Sequence, residues 1–517
     1  MFRPERVRTC SWCFTAKKGG IPVKVCHSTT PNGEKHTDKE LARQWNSIDW
    51  DTVRTIVNRL QTRIAKATRE GQWNLVKRLQ YLLTHSHSAK LLAVRTVTQN
   101  RGARTPGIDG ERWTHPSQKM RAALCLTSKQ YRAQPLKRIY IPKPGKDTKR
   151  PLSIPTMYDR GMQALYALAL QPIAETTADP RSFGFRLFRS AQDAAQYAFF
   201  CLHHRHSAQW ILEGDIRGCF DNISHEWLKA NIPLEQVVLT QFLKAGFVFE
   251  QTLYPTDKGT PQGGLISPIL ANIALDGIEG YLNEMFPKMK VHLIRYADDF
   301  LITAPSKEVA EDIREHMREL LAERGLELSE SKTVVTNIDE GLDFLGWNFR
   351  KYKGTLLIKP SRRSVEKITE TIREIIHKGA SWTQEDLIHA LNPVIVGWAN
   401  YHRHVVAKKT YQRLDSILWN MLWKWAKRRH SNKSHMWIAQ RYWHSEGTNN
   451  WVFRIDTAKL VRFADTKIRR HSMVKLDANP YLDRGYFLSR KERMRKQMPW
   501  SQTQLSLFAY CRPKFGL

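Results

Sequence analysis

No stretch of this 517-residue chain approaches the ~18 consecutive apolar residues that mark a membrane-spanning helix. The longest near-apolar run, "GMQALYALALQPIA" from Gly161, has the length of a buried helix. The first residues, "MFRPERVRTCSWCF", contain no apolar h-region and no small-residue cleavage site, so no secretory signal is expected. Cysteine is scarce: seven residues, an odd and scattered set, argue against a disulfide framework and for a reducing compartment. Only Cys511 follows Cys219, so the later half of the chain has no paired C-x-x-C motif of the kind that builds a zinc module. Acidic residues are also few, 49 against 82 Lys and Arg, which leaves a formal charge of +33.

Such a charge is the footprint of a polyanionic partner. Without a membrane segment, nucleic acid is the favoured partner over an anionic bilayer. The cations are densest in "KWAKRRHSNKSH" and "LSRKERMRKQ". Seventeen Trp and sixteen Tyr accompany them, residues that stack on bases as well as fill cores.

The length suits about three domains. Residues 1–44 are polar and broken by Gly, Pro and Thr, and read as a flexible extension. Residues 45–110 are helical, with Val53, Ile56, Val57 and Leu60, and then Leu75, Leu79 and Leu82, at helical spacing before the glycine-rich loop "NRGARTPGIDG". Residues 111–355 read as a mixed α+β unit. It opens with a hairpin in "KRIYIPKPGKDTKRPLSIP", and residues 157–176 follow as a buried helix. "WILEGDIRGCF" is a strand running into a turn, "ANIALDGIEGYLNEMF" one helix, and "KVHLIRYADDFLITA" two short strands. Residues 356–430 are helical with basic outer faces: Val365, Ile368, Ile372 and Ile375 share one face, and Leu414, Ile417, Leu418, Met421, Leu422 and Trp425 another. Residues 431–517 are basic, aromatic and short-segmented, with no readable fold.

One anomaly carries the chemistry. Asp298 and Asp299 sit side by side in the apolar run "LIRYADDFLIT", and Asp215 ends an apolar strand 83 residues earlier. Carboxylate oxygens are the ligands Mg²⁺ prefers. Two such ions ~3.5–4 Å apart clamp the attacking and leaving oxygens of a phosphoryl transfer, which requires acids from more than one strand. A bare Asp-Asp pair would otherwise be a turn.

"YADD" with "DIRGCFD" upstream resembles the palm motifs of reverse transcriptases, and "GTPQGGLISPILANIAL" between them resembles the signature of the group II intron-encoded reverse transcriptase/maturase family. "TPGIDG", "RPLSIP", "SFGFR", "LSESKT", "FLGW" and "GWANYHR" match that family in order, over roughly residues 45–480, and the likeness is greatest to the chloroplast-like lineage. The resemblance implies a right-hand polymerase fold of fingers–palm and helical thumb, with a small basic C-terminal module. It implies an RNA-directed DNA polymerase and maturase that uses two Mg²⁺ ions and dNTPs, binds its intron RNA, assists splicing and copies the intron into cDNA during retrohoming to target DNA. Asp215, Asp298 and Asp299 would be the metal ligands, joined by the backbone carbonyl of Ile216. Lys143 and Arg150 would grip the triphosphate, with Lys146 and Lys149 competing on chemistry alone. Phe220 would select deoxyribose by crowding a 2′-hydroxyl, although a core Phe fits the pattern equally. Gln262 and Gly263 would contact nucleotide and template, and Lys332 would protonate the leaving pyrophosphate unless it is a surface lysine. Lys424, Lys427, Arg428 and Arg429 on the thumb, and Arg490, Lys491 and Arg493 near the C-terminus, would hold nucleic acid.

Three competing functions are a defence or retron reverse transcriptase, an RNA-binding splicing factor without polymerase activity, and an RNA-dependent RNA polymerase. The long thumb, the intact aspartates and Phe220 with "YADD" speak against them in turn. Cys10, Cys13, Cys26 and His27 make a weak zinc pattern, and "LHHRHS" lacks ligand spacing. His430, Asn432 and His435 hint at an HNH nuclease, but without C-x-x-C pairs no endonuclease is expected, and the second DNA strand is expected to stay uncut. The bacterial cytosol or nucleoid is the expected location; oligomeric state is left open.

Overall fold

The computed structural model describes residues 37–142, 149–447 and 449–496. Lys143, Lys146 and the cysteine cluster of the N-terminal tail lie outside these residues. Among the described residues, no helix is long and apolar enough to cross a membrane.

Helices α2 (Trp50–Arg69), α3 (Trp73–His85) and α4 (His87–Gln99) pack on α6 (Met157–Thr177), and α1 (Asp38–Asn46) packs on α5 (Pro116–Cys125), which rests on α4. Helix α1 starts inside the stretch read as an extension, capped by Thr37, whose hydroxyl accepts from the Glu40 amide. In α3 the buried stripe is Val76, Leu79 and Leu83, while Leu75 and Leu82 are exposed. Both registers have helical spacing, and only packing on α2 and α6 separates them.

The expected hairpin is β1 (Leu136–Pro142) against β2 (Lys149–Ile154). After α7 (Ala191–Leu202) comes β3 (Trp210–Asp215), then α8 (Cys219–Asn222), α9 (His225–Asn231), α10 (Gln236–Leu243), β4 (Phe247–Phe249) and β5 (Thr252–Tyr254). The run read as one helix is two, α11 (Ser267–Ala274) and α12 (Ile278–Met285), because Gly277 adopts φ +87° between them. Strands β6 (Leu293–Tyr296) and β7 (Asp299–Ala304), helix α13 (Lys307–Ala322) and β8 (Val334–Asn337) complete the unit. The first sheet runs β2-β1-β4-β5, and the central one β6-β7-β3-β8.

The central sheet has two buried faces. Leu212, Leu293, Phe300 and Ile302 pack with the N-terminal helices and α6, whereas Ile211, Ile294 and Leu301 pack with the C-terminal half. This accounts for strands that read as continuous apolar runs rather than alternating ones.

Strands β9 (Leu342–Phe344), β10 (Trp347–Tyr352) and β11 (Thr355–Pro360) form a small sheet leading to α14 (Arg362–Lys378), α15 (Gln384–His402) and α16 (Lys408–Arg429). The segment without a readable fold holds α17 (His435–Tyr442), a hairpin of β12 (Trp443–Glu446) and β13 (Asn449–Phe453), and α18 (Arg484–Lys496). Between the hairpin and α18 the chain runs back over the palm: Arg189 donates to the Leu476 carbonyl, Asn479 to Thr176, and Thr62 to the Tyr481 carbonyl.

Candidate active site

Strands β3 and β7 are antiparallel with Asp215 opposite Asp299, and Tyr296 lies opposite Asp299 across β6–β7. Ala297 and Asp298 form the tight turn, Ala297 at φ +59°. Two glycines make this approach possible. A Cβ on Gly214 would lie 2.0 Å from the Phe300 ring, and one on Gly184 would lie 2.3 Å from the Ala297 amide. The "SFGFR" loop is therefore the wall against which the aspartate turn rests.

Beneath the turn is a buried polar support. Arg295 is fully buried and donates to Asp276 at 2.5 Å and to Asn272 at 3.2 Å, while Asn272 donates to the Gly184 carbonyl at 2.9 Å. The Phe183 amide donates to the Arg295 carbonyl, and the Arg295 amide to that of Arg181. Burial pushes the Asp276 carboxyl up despite the Arg295 guanidinium. None of Arg295, Asp276 or Asn272 was singled out from the sequence. Arg295 shares its apolar run with the aspartates and is the same kind of anomaly.

The three aspartates feel one another. Burial and then the Asp215 charge raise Asp298. Burial, followed by the Asp298 and Asp215 charges, pushes Asp299 up to about 6. Asp299 nevertheless keeps an exposed flank, so the like charges weigh more in our reading than burial. Asp215 Oδ2 accepts from Lys332 Nζ at 2.5 Å. The Ser329 amide donates to the Asp215 carbonyl, folding "LSESKT" over the end of β3 and delivering that lysine. Ile216 is buried and bridges Leu328. Among the described residues, no three His, Cys, Asp or Glu side chains are gathered round one point. The donor chemistry still fits a hard divalent cation: all-oxygen ligands on adjoining strands whose mutual repulsion a cation would relieve.

Of the residues expected to meet nucleotide, Phe220, Gln262 and Gly263 lie on segments tied to one another and to β2. Phe220 on α8 is half-buried and meets Phe185 edge-on at 6.0 Å. The Thr260 amide donates to the Phe220 carbonyl, and Gln262 Nε2 to Asp221. The Gln262 carbonyl accepts from Ser153 on β2, and Gly263, at φ +111°, leaves no room for a Cβ, which would lie 2.5 Å from the Ser153 carbonyl. Arg150 on β2 is exposed, and its charge bears on Asp298. The "TPGIDG" loop is seated by the buried Arg160, which donates to the carbonyls of Gly102, Thr105 and Pro155.

Lys424, Lys427 and Arg428 are exposed on α16, while Arg429 donates to the Ala380 carbonyl and lies over Trp425. At the C-terminus one expectation is corrected. Arg490 is 5% exposed and donates to Asp193 at 2.6 Å, so it anchors α18 to the palm and is not available to a phosphate. Phe487 is likewise buried, and the half-buried Tyr486 accepts from the Lys475 amide. Lys491 and Arg493 remain exposed. His430 pairs with the Tyr442 hydroxyl at 2.8 Å, and His435 packs on Trp423.

Three family models tile the chain: N-terminal domain of reverse transcriptase over residues 45–126, reverse transcriptase (RNA-dependent DNA polymerase) over 141–349, and group II intron maturase-specific domain over 365–443. The chain belongs to the group II intron reverse transcriptase/maturase family. Among curated relatives, this reverse transcriptase is 29% identical to Protein YkfC of Escherichia coli over 361 residues, 61% of this chain and 92% of that one. It is 28% identical to the group II intron-encoded protein LtrA of Lactococcus lactis over 428 residues, 69% of this chain and 70% of that one. A telomerase structure from Candida albicans aligns at 13% identity and TM-score 0.35, covering 60% of this chain and 65% of that one, too distant to bear on the argument.

Proposed function

We propose that this reverse transcriptase copies RNA into DNA by two-metal nucleotidyl transfer at Asp215, Asp298 and Asp299, and that its thumb holds intron RNA during splicing. The carrying observation is the register that sets Asp215 opposite Asp299, with Asp298 in the adjoining turn. Bound Mg²⁺ would supply charge neutralisation to the attacking and leaving oxygens. The three carboxylates hold that charge in place, and the buried Arg295 network keeps their turn from shifting. Arg150 faces the incoming triphosphate and offsets charge on the departing pyrophosphate. Lys332, once released from Asp215, has a proton to give that leaving group. Phe220 closes the floor under the sugar, and Gln262 with Gly263 brings backbone close to the templated pair.

The exposed cations of α16 suit RNA recognition by shape and phosphate rather than by base edges. Target DNA and dNTPs complete the set of partners. Primer extension on an RNA template with dNTPs, measured beside intron-RNA binding on one preparation, tests both halves. Extension with dNTPs together with salt-sensitive RNA binding is the expected result. A preparation that binds RNA but extends no primer would leave only a splicing factor.

A further inference from the structure

The hairpin β12–β13 brings Trp443 and Trp451 onto Trp419 and Trp423 of α16. Trp419 and Trp423 stack nearly parallel, 5.4 Å apart at 9°. Trp443 packs against both and is 4% exposed, which fixes the hairpin to the helix. Trp451 is different: it stands at 82° to Trp419, 5.8 Å away, and is 51% exposed. The two rings make an L-shaped corner in a cleft of about 1020 Å³. That volume is at the upper end of the range for small-ligand pockets, ~300–1,000 Å³. Trp451 also meets Trp443 across the hairpin, 6.4 Å away, yet one side of its ring stays open to the cleft.

Charge is divided between the cleft and its surroundings. Inside, Lys459 is ion-paired with Glu446, and Arg462 lies 3.7 Å from Asp465, so the cleft is close to neutral. Outside, Lys409, Arg413, Lys424 and Lys427 lie along the exposed face of α16, flanking Ser416 and Asn420 at the cleft wall. None of these three lysines and one arginine (Lys409, Arg413, Lys424, Lys427) has an ion-pair partner on its own helix face among the described residues; the one acid there, Asp415, is turned away to accept from the Phe463 and Ala464 amides. A neutral aromatic corner beside an uncompensated cationic stripe matches the two halves of a nucleotide: a flat uncharged base and an anionic phosphate chain.

We propose that this corner is a binding site for an unpaired RNA base, stacked on Trp451 against Trp419, with the flanking phosphates on the α16 stripe. The inference rests on the reading of the thumb as an RNA-binding surface. A duplex cannot offer a free base face, so the site selects single-stranded or bulged RNA. Trp419 and the α16 stripe lie within the matched maturase-specific segment, which ends at residue 443, and Trp451 lies just beyond it.

The test uses the full chain with its polymerase channel filled by a blocked template–primer duplex. The probes are a 12-nucleotide single-stranded RNA carrying 5-iodouridine and the same strand annealed to its complement. Trp451→Ala should weaken single-strand binding at least about fivefold, Trp451→Phe should stay within about twofold of the parent, and duplex binding should be unchanged. Photocrosslinks should map to the peptide containing Trp451. Equal single-strand binding by Trp451→Ala and the parent, or an equal loss on duplex, would overturn the site. A shift in oligomeric state with unchanged RNA binding would overturn it too and make the corner a protein interface. Lys424→Glu with Lys427→Glu separates the two levels of the argument. If it leaves all RNA binding intact, the thumb reading fails; if it weakens binding while Trp451→Ala does not, only the base site fails.

Discussion

Two hairpins in this chain each break a local rule, in opposite ways. β6–β7 puts charge where apolar residues belong: Arg295, Asp298 and Asp299 interrupt strands buried on both faces. β12–β13 puts apolar surface where charge belongs, with Trp451 half in solvent at the edge of a two-stranded sheet. The first hairpin is heavily supported, by a buried arginine, two glycine contacts, β3 alongside β7 and a bridge from Ser182 to β6. The second is anchored by Trp443 and Phe453 alone of its rings, packed on Trp419, Trp423 and Trp425 of α16. Phosphoryl transfer depends on sub-ångström placement of its ligands, whereas stacking tolerates a looser platform. The difference in support follows the difference in task.

The contrast can be broken from the palm side first. Arg295→Met leaves the buried Asp276 carboxylate without its partner and should destabilise the protein by about 3–5 kcal/mol. Denaturant unfolding monitored by circular dichroism measures it. A loss below about 1 kcal/mol would mean that the hairpin does not lean on this pair. Next, Gly184→Ala forces the Ala297 turn to move. A shift of that order should lower primer extension about a hundredfold while leaving RNA binding near normal. Unimpaired extension would remove the "SFGFR" loop from the site.

How much of this was legible follows the same division. The palm strands, the fingers hairpin, α6 and the aspartates could be read because local pattern and tertiary role agree there. Arg295 was open to the same reasoning, since it too is a charge in an apolar run, but no local pattern names its partners Asp276 and Asn272. The register of α3 failed because two apolar stripes fit one helix. Arg490 failed because a basic run in sequence does not tell which cation turns inward to Asp193, a residue 297 positions away.

A third test addresses the thumb–palm junction between the two hairpins. Burial, with the neighbouring His404, pulls His402 down to about 3; its Nε2 meets the Ser364 hydroxyl at 3.1 Å. The folded state then binds fewer protons than the unfolded chain, whose histidine titrates near 6.5. This contribution to stability is full above that value and is lost as pH falls from about 6.5 towards 3, by about 1.4 kcal/mol per pH unit. His402→Gln should flatten the fall in unfolding free energy between pH 6 and 4. An unchanged slope would move the acid sensitivity elsewhere. The smallest effect belongs to the second hairpin: Trp443→Ala should cost about 3 kcal/mol or more, but Trp451→Ala less than about 1. Equal losses would make Trp451 an ordinary structural residue and erase the contrast.

The central claim, that Asp215, Asp298 and Asp299 hold the catalytic metals of an RNA-copying polymerase, is tested most directly by Asp298→Ala. Primer extension on an RNA template and intron-RNA binding are measured on the same preparation in Mg²⁺. Extension should fall by at least about 10³-fold, because the cation clamp loses a ligand, while RNA affinity stays within about twofold, because the Lys and Arg contacts remain. Near-normal extension by this variant would contradict the account.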